Sequence, residues 1–344
     1  MKKKIFLLLT FLTINLNAQV TDVLTTGLTD PAGLAISGNT LFIAESFGAD
    51  KISKIDISSA SPTKIDVVSG LSGPDGLAIN GNTLYIAETN ADRISKIDIS
   101  SATPIVETVI TNVLEPTGIV IDGNYLYIAE YNANKISKLN LTTLVKTDYL
   151  TGISGPTGLV ISNNILYFSD FDTNVISKVD LTAAMPVITQ LSSGFDEPAS
   201  LNLVGSELYI ANYGSGKLSK MNITNQVVSD VAPNLGGVYG LVNNGAFLFL
   251  SQRDTNKISK ISLPNLSTVN FDIENQASVY PNPVSNYLTL KNVLVNSNIT
   301  ISDFNGRIIK QFIYQKPTID LQSLEKGIYF LTINKNKTIK FIKN

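Results

Sequence analysis

The chain has 344 residues, 44% of them hydrophobic and 16% charged, with no cysteine, histidine or tryptophan. The missing histidine removes Ser-His-Asp triads, imidazole metal sites and the usual general base near neutral pH. The missing cysteine leaves core burial to hold the fold, which a chain of this length can supply. The formal net charge of −2 conceals a division: 14 Lys+Arg face 25 Asp+Glu over residues 19–277, whereas 9 face 3 over residues 278–344. The acidic part is a poor nucleic-acid ligand, because such binding needs clustered cations to neutralise phosphates.

Residues 1–18 (MKKKIFLLLTFLTINLNA) place three lysines before a short apolar stretch and a small residue before Gln19. That order is the pattern of a cleaved secretory signal peptide. The apolar part is too short to span a bilayer, and nothing later approaches spanning length, so an integral membrane protein is not expected.

From residue 20 onward the chain repeats. Pro-x-Gly-Leu-like openings begin at Pro31, Pro74, Pro116, Pro156 and Pro198, with Val238-Tyr239-Gly240-Leu241 as a sixth. Ile-Ser-Lys-like closings begin at Ile52, Ile94, Ile136, Ile176, Leu218 and Ile258, and neighbours are 40 to 43 residues apart throughout. A period near 40 marks one supersecondary unit stacked repeatedly.

The second unit shows its content. Residues 76–79 are apolar, Asn80-Gly81-Asn82 is a hairpin signal, and residues 83–87 (TLYIA) are β-branched and aromatic. Asn90-Ala91-Asp92 makes a turn, residues 93–99 alternate apolar and polar, and residues 105–110 follow a polar break. This predicts a four-stranded antiparallel meander. Six meanders fit an all-β six-bladed β-propeller over residues 19–263, with a β-helix as the alternative. Residues 20–28 (VTDVLTTGL) resemble the fourth strands at 66–71 and 149–153, whereas the sixth unit has three strands before Pro264. The N-terminal strand should therefore close the last blade and leave no free edge. Residues 269–273 are a weaker rival for that place.

Residues 264–277 (PNLSTVNFDIENQA) are polar and turn-rich, as a linker is. Beyond them, short strands at 287–290, 298–302, 307–313, 318–321, 327–333 and 337–342 suit a small C-terminal β-sandwich.

Three recurrent positions could carry function. Glu45, Glu88, Glu130, Asp170, Asn212 and Gln252 close the second strand of each unit. Together they could ring a channel mouth and hold a divalent cation through oxygen ligands, the four carboxylates being the metal candidates. Their recurrence in every unit favours a structural role, in which each accepts backbone N–H groups of its own turn. The Ile-Ser-Lys lysines could form a cationic ring, but strand lysines ordinarily lay apolar stems along a sheet. The loops between second and third strands carry Phe47, Tyr131, Phe171, Tyr213 and Arg253, and aromatic platforms there suit sugars or peptides. In an antiparallel blade, the start of the first strand and the end of the second share one face. Asp75 and Tyr239, in the variable slot of Pro-x-Gly, should therefore join these loop residues as ligand-binding groups. The asparagine–glycine turns occupy the opposite face.

Two resemblances follow. Residues 278–344 resemble the C-terminal sorting domain of the type IX secretion system of Bacteroidetes. The marks are Val279-Tyr280-Pro281-Asn282-Pro283, Leu288-Thr289-Leu290, Asp303-Phe304-Asn305-Gly306-Arg307 and Leu324-Glu325-Lys326-Gly327-Ile328-Tyr329. The resemblance implies handling by the type IX machinery and a secreted or outer-surface address. The repeats resemble the NHL and sugar-lactonase-like six-bladed propellers, through Pro-x-Gly-Leu followed by strands such as Leu-Tyr-Ile-Ala-Glu. That motif is shared by propellers of unrelated activities; the aromatic loops favour a module that binds a glycan, peptide or protein ligand, and the lactonase resemblance implies the alternative, a metal-dependent hydrolase. The lactonase ligand set does not match here residue by residue, no catalytic residue is identified, and the histidines of similar amidating lyases are missing. Fold likeness alone does not carry function.

Overall fold

The computed structural model describes residues 19–263, 277–291, 293, 296–304, 306–315, 318–334 and 337–344. The expected secretory leader, most of the expected linker with the rival closing strand at 269–273, and Asn305 lie outside the described residues. The chain divides into two compact units that part after Leu263. Among the described residues no helix is long and apolar enough to cross a membrane.

The first unit consists of six four-stranded antiparallel sheets. In the second sheet, Pro74–Asn80, Thr83–Glu88, Arg93–Asp98 and Glu107–Thr111 pair in chain order. Asn80 stands opposite Thr83, with Gly81 left-handed in the two-residue turn between them. Glycine takes that conformation without a Cβ clash. The sixth sheet is composed differently. Val20–Leu24 lies antiparallel against Lys257–Ser262, outside Phe247–Gln252 and Val238–Asn243. The strand is shorter than residues 20–28, because its register slips after Asp22 and Gly27 turns left-handed.

The core lies between sheets. Phe42 and Ile52 of the first sheet pack with Leu84, Ile86 and Ile97 of the second. Leu41, Ile43 and Ile55 of the first pack with Phe249 and Ile258 of the sixth and with Leu24 and Leu28 of the N-terminal segment. Each innermost strand contacts those of the sheets before and after it, and Val238–Asn243 contacts Pro31–Ser37. The Pro-x-Gly glycine permits this approach: a Cβ on Gly76 would stand 2.1 Å from the Thr117 carbonyl oxygen, and one on Gly240 2.2 Å from that of Ala32.

A second link joins successive sheets. In five of the six sheets, all but the fifth with its Gly216, the left-handed residue before the third strand accepts on its side chain the backbone N–H preceding the next sheet. Asp50 receives Gly73 N at 2.9 Å, Asp92 receives Glu115 N at 2.8 Å, and Asn256 of the sixth sheet receives Asp30 N at 2.7 Å. The Ile-Ser-Lys triplets place isoleucine and serine in the core with the lysine half-buried at the surface. Lys138 Nζ lies 4.0 Å from the Tyr125 ring centroid and Lys96 pairs with Glu107 at 3.2 Å, the snorkelling arrangement.

The second unit has a three-stranded and a four-stranded sheet enclosing a core of Leu288, Ile299, Leu331 and Phe341. Its first strand, Ser278–Tyr280, was not expected from the sequence because three residues show no readable alternation. Asn282 explains part of the proline-rich mark: its side chain donates to Lys340 O and accepts from Ile342 N, fastening that turn to the last strand.

Gly240→Ala tests the contact between sixth and first sheets. A Cβ against a fixed carbonyl is expected to cost about 3 kcal/mol and lower Tm by roughly 6–12 °C. Deleting residues 20–24 is expected to expose the Lys257–Ser262 edge and cause aggregation. Thermal melts with light scattering check both, and wild-type behaviour in either variant would contradict the packing described.

Candidate functional site

Where the first strands begin, the six sheets surround a depression of about 410 Å³, which shares Asp75, Thr117 and Tyr239 with a narrow passage of about 90 Å³ along those strands. Local register aims side chains there. The pairing of first and second strands slips between Pro74 and Leu77, and likewise in the other five sheets, so the slot residue sits in a bulge. Bulges re-aim side chains out of the sheet, which turns Asp75, Thr117, Thr157 and Tyr239 to the mouth. The loops after the second strands add Phe47, Tyr131, Phe171, Tyr213 and Arg253. The seven residues singled out from the sequence as ligand-binding thus line one depression.

They are also connected. Tyr239 donates its hydroxyl to Asp75 Oδ2 at 2.8 Å, across 164 positions of chain. Arg253 donates Nε to Asp30 Oδ1 at 2.9 Å and Nη2 to Asp30 Oδ2, with its guanidinium 4.5 Å from the Tyr239 ring centroid and 5.3 Å from that of Phe47. Tyr213 meets Tyr239, and Tyr131 meets Phe171, in edge-to-face pairs at 5.7 and 6.1 Å. Phe47 is 57% exposed, so its ring is open to a partner.

The electrostatics follow from burial. Burial raises the Asp75 carboxyl above its ordinary 3.8, against the opposing pull of Arg253 and the Tyr239 hydrogen bond. Burial, then the Asp75 charge, lifts the Tyr239 phenol well above 10, so it remains the donor. Burial and the hydrogen bond to Asp172 push Tyr131 up to about 12. Burial, then the charges of Asp92 and Asp75, also raises Glu115.

Asp30 and Glu115 line the mouth but were not singled out from the sequence. Each precedes the opening proline in a left-handed backbone, φ 47°, which costs a non-glycine residue about 1 kcal/mol. The signal in the sequence is an alternation: Asp30, Glu115 and Glu197 hold this position in odd-numbered sheets, Gly73, Gly155 and Gly237 in even ones. A Cβ at those glycines would meet the side chains of Asn90, Asp172 and Asp254 at 2.7, 2.8 and 2.6 Å.

The four metal candidates do not line the mouth. Glu45, Glu88 and Glu130 are fully buried, each within its own sheet and with its own donors. Glu88 accepts Arg93 through two bonds of 2.7 Å, Ser72 N at 2.9 Å and the Ser95 hydroxyl. Glu45 takes Thr29 N at 2.9 Å and Lys64 at 2.8 Å, and Glu130 takes Leu114 N at 3.0 Å and Lys146 at 2.8 Å. Asp170 accepts Ser154 N at 3.2 Å, while its Oδ1 is buried without a partner among the described residues, and Val175 stands where Arg93 bonds Glu88 in the second sheet. In each case the bonded N–H lies sixteen residues back, so the side chain closes the loop that enters its own sheet. Among the described residues no group of three or more acidic side chains is arranged to hold a metal ion.

Residues 278–344 match the family described as secretion system C-terminal sorting domain. Such domains mark proteins that the type IX system delivers, so this protein is secreted or held at the outer cell surface. No curated protein matches the chain. Among solved structures it is similar to virginiamycin B lyase from Staphylococcus aureus, at 18% identity and TM-score 0.55, over 72% of this chain and 99% of that one. Another similar structure is a catalytically inactive histidine-to-alanine variant of that lyase with quinupristin, at 20% identity and TM-score 0.53, over 70% and 83% of the two chains. An auxiliary nutrient binding protein from Bacteroides thetaiotaomicron is similar at 16% identity and TM-score 0.60, over 71% and 76%. These identities show a shared β-propeller-like fold and nothing finer.

Glu88→Ala is expected to destabilise by about 3 kcal/mol in urea titrations, since it strands buried donors. EDTA is expected to leave Tm unchanged; a fall reversed by Ca²⁺ would reinstate a cation site. Asp75 gives a second test. Its folded pKa lies above its unfolded one, so the native state binds more protons in that window. Stability therefore falls as pH rises across the window, and the cost stands in full at neutral pH. Asp75→Asn is expected to melt above wild type at pH 7, with the gap closing toward about pH 4. A variant that melts below wild type at pH 7 would reverse the sign.

Proposed function

We propose that this protein is an exported binding module: a six-bladed β-propeller, closed by its N-terminal strand, that takes a ligand at the channel mouth. The carrying observation is the convergence of Phe47, Asp75, Tyr131, Phe171, Tyr213, Tyr239 and Arg253 on one depression. Concave sites that combine aromatic walls with a few oriented polar groups are the usual form of ligand sites. Residues 1–18 supply the inner-membrane export signal and the sorting domain the second crossing. Residues 19–263 form the propeller, and residues 264–277 link it to the tail.

Hydrolysis through a divalent cation is the weaker reading, since Glu45, Glu88 and Glu130 already serve buried donors. The lyase neighbour is described as inactive once a histidine becomes alanine, and this chain has no histidine. The nutrient-binding neighbour accords with a binding role.

The double variant Tyr131→Ala with Phe171→Ala is expected to weaken binding at least about tenfold in a glycan and peptide array, with its melting transition retained. Asn82→Ala, in an opposite-face turn, is expected to bind as wild type. Loss of binding in Asn82→Ala with a silent aromatic pair would move the site to the other face. Removing residues 278–344 is expected to leave a folded propeller inside the cell envelope, by fractionation, and normal external amounts would contradict the export route.

A further inference from the structure

Taking the mouth as the ligand site, we infer that the ligand presents an organic cation, an ammonium or guanidinium group, between the Tyr131 and Phe171 rings and the Glu115 and Asp75 carboxylates. The lining holds three carboxylates, Asp30, Asp75 and Glu115, and one cation, Arg253. Arg253 is committed to Asp30 through two hydrogen bonds. Among the described residues neither Asp75 nor Glu115 forms an ion pair. Asp75 is 7% exposed and accepts the Tyr239 hydroxyl on Oδ2, while Oδ1 has no donor among the described residues. A desolvated carboxylate without a counter-charge is costly, and the raised pKa of both groups reflects that cost. Glu115 adds a left-handed backbone. Stacked costs at one place are the pattern of a site whose missing partner arrives from outside.

The chain also shows how this mouth receives a cation. The Arg253 guanidinium lies over the Tyr239 and Phe47 rings while bonding a carboxylate. Three sheets away Tyr131 and Phe171 form an edge-to-face ring pair beside Glu115, with Tyr131 N donating to the Glu115 carbonyl at 3.1 Å. No lysine or arginine belongs to that part of the lining. Ring faces and carboxylates attract the same charge, and desolvation strengthens both effects. An anionic ligand would meet uncompensated carboxylates, and a neutral sugar would use the rings and leave those charges unanswered.

Three of the thirteen tyrosines, Tyr131, Tyr213 and Tyr239, line the mouth and the chain has no tryptophan to mask them, so a change in tyrosine fluorescence that mouth variants abolish reports binding there. Titration with Gly-Lys-Gly and Gly-Glu-Gly, both acetylated at the N-terminus and amidated at the C-terminus, and with putrescine and maltose is expected to show saturable binding of a cationic probe alone, weakened by NaCl. Tighter Gly-Lys-Gly binding assigns the cation to a peptide side chain, and tighter putrescine binding to a free amine. Glu115→Gln and Asp75→Asn are each expected to weaken binding about tenfold, the scale of one desolvated cation contact. Glu107→Gln, at an exposed strand outside the mouth, is expected to change nothing. A single melting transition at or above that of wild type in each variant excludes misfolding. Absence of cationic binding up to about 10 mM overturns the inference. So does cationic binding indifferent to both mouth variants. Binding of maltose or Gly-Glu-Gly that depends on Tyr131 and Phe171 overturns it too, but leaves the binding-module reading standing.

Discussion

At Gly33, Gly76, Gly118 and Gly240, the innermost strand of one sheet runs against the slot carbonyl of the next at a distance that admits no Cβ. This approach governs the rest. It fixes the innermost strands around a narrow passage and leaves the slot residues facing the mouth. It also brings apolar faces of neighbouring sheets close enough to form a core between them. The fifth sheet breaks the rule with Ser200, and the gap is managed by a hydrogen bond of 3.3 Å from Leu241 N to the serine hydroxyl. Close approach holds the centre, and the Asp and Asn latches hold the rim.

Much of this was legible because it depends on local rules. The 40- to 43-residue period, the Asn-Gly turns and the strand alternation each leave a direct mark in the chain. Antiparallel order then dictates that slot residues and second-strand loops share a face, which is why the seven mouth residues could be named beforehand. Three things were not legible. Whether Glu45, Glu88 and Glu130 turn toward the mouth or into the sheet depends on the donors that await them, and Lys64, Arg93 and Lys146 read as ordinary strand lysines and arginine. The contribution of Asp30 and Glu115 depends on a left-handed backbone before proline, which a turn-like dipeptide does not announce. The Tyr239–Asp75 bond is purely tertiary.

The site separates two uses of the same side-chain type. Glu45, Glu88 and Glu130, which close their sheets' loops, are surrounded by donors and cations. Asp75 and Glu115 are buried or half-buried with fewer partners, at a position where the structure bears a cost instead of relieving it. Recurrence alone does not distinguish these groups, since the structural carboxylates recur most regularly. Departure from recurrence does: Asp75, Tyr239 and Arg253 each differ from their equivalents in the other sheets, and all three meet in one network.

The pairing of Val20 with Ile261 has a consequence for presentation. Lys257–Ser262 starts beside the loop that carries Arg253, at the mouth, and runs to the far side before Leu263. Val20–Leu24 lies antiparallel to it, so the N-terminal end also emerges on that far side. Both chain ends of the unit thus leave from one corner of the face behind the mouth. The strands by which the chain enters and leaves this unit therefore end on the side opposite the residues that line the depression.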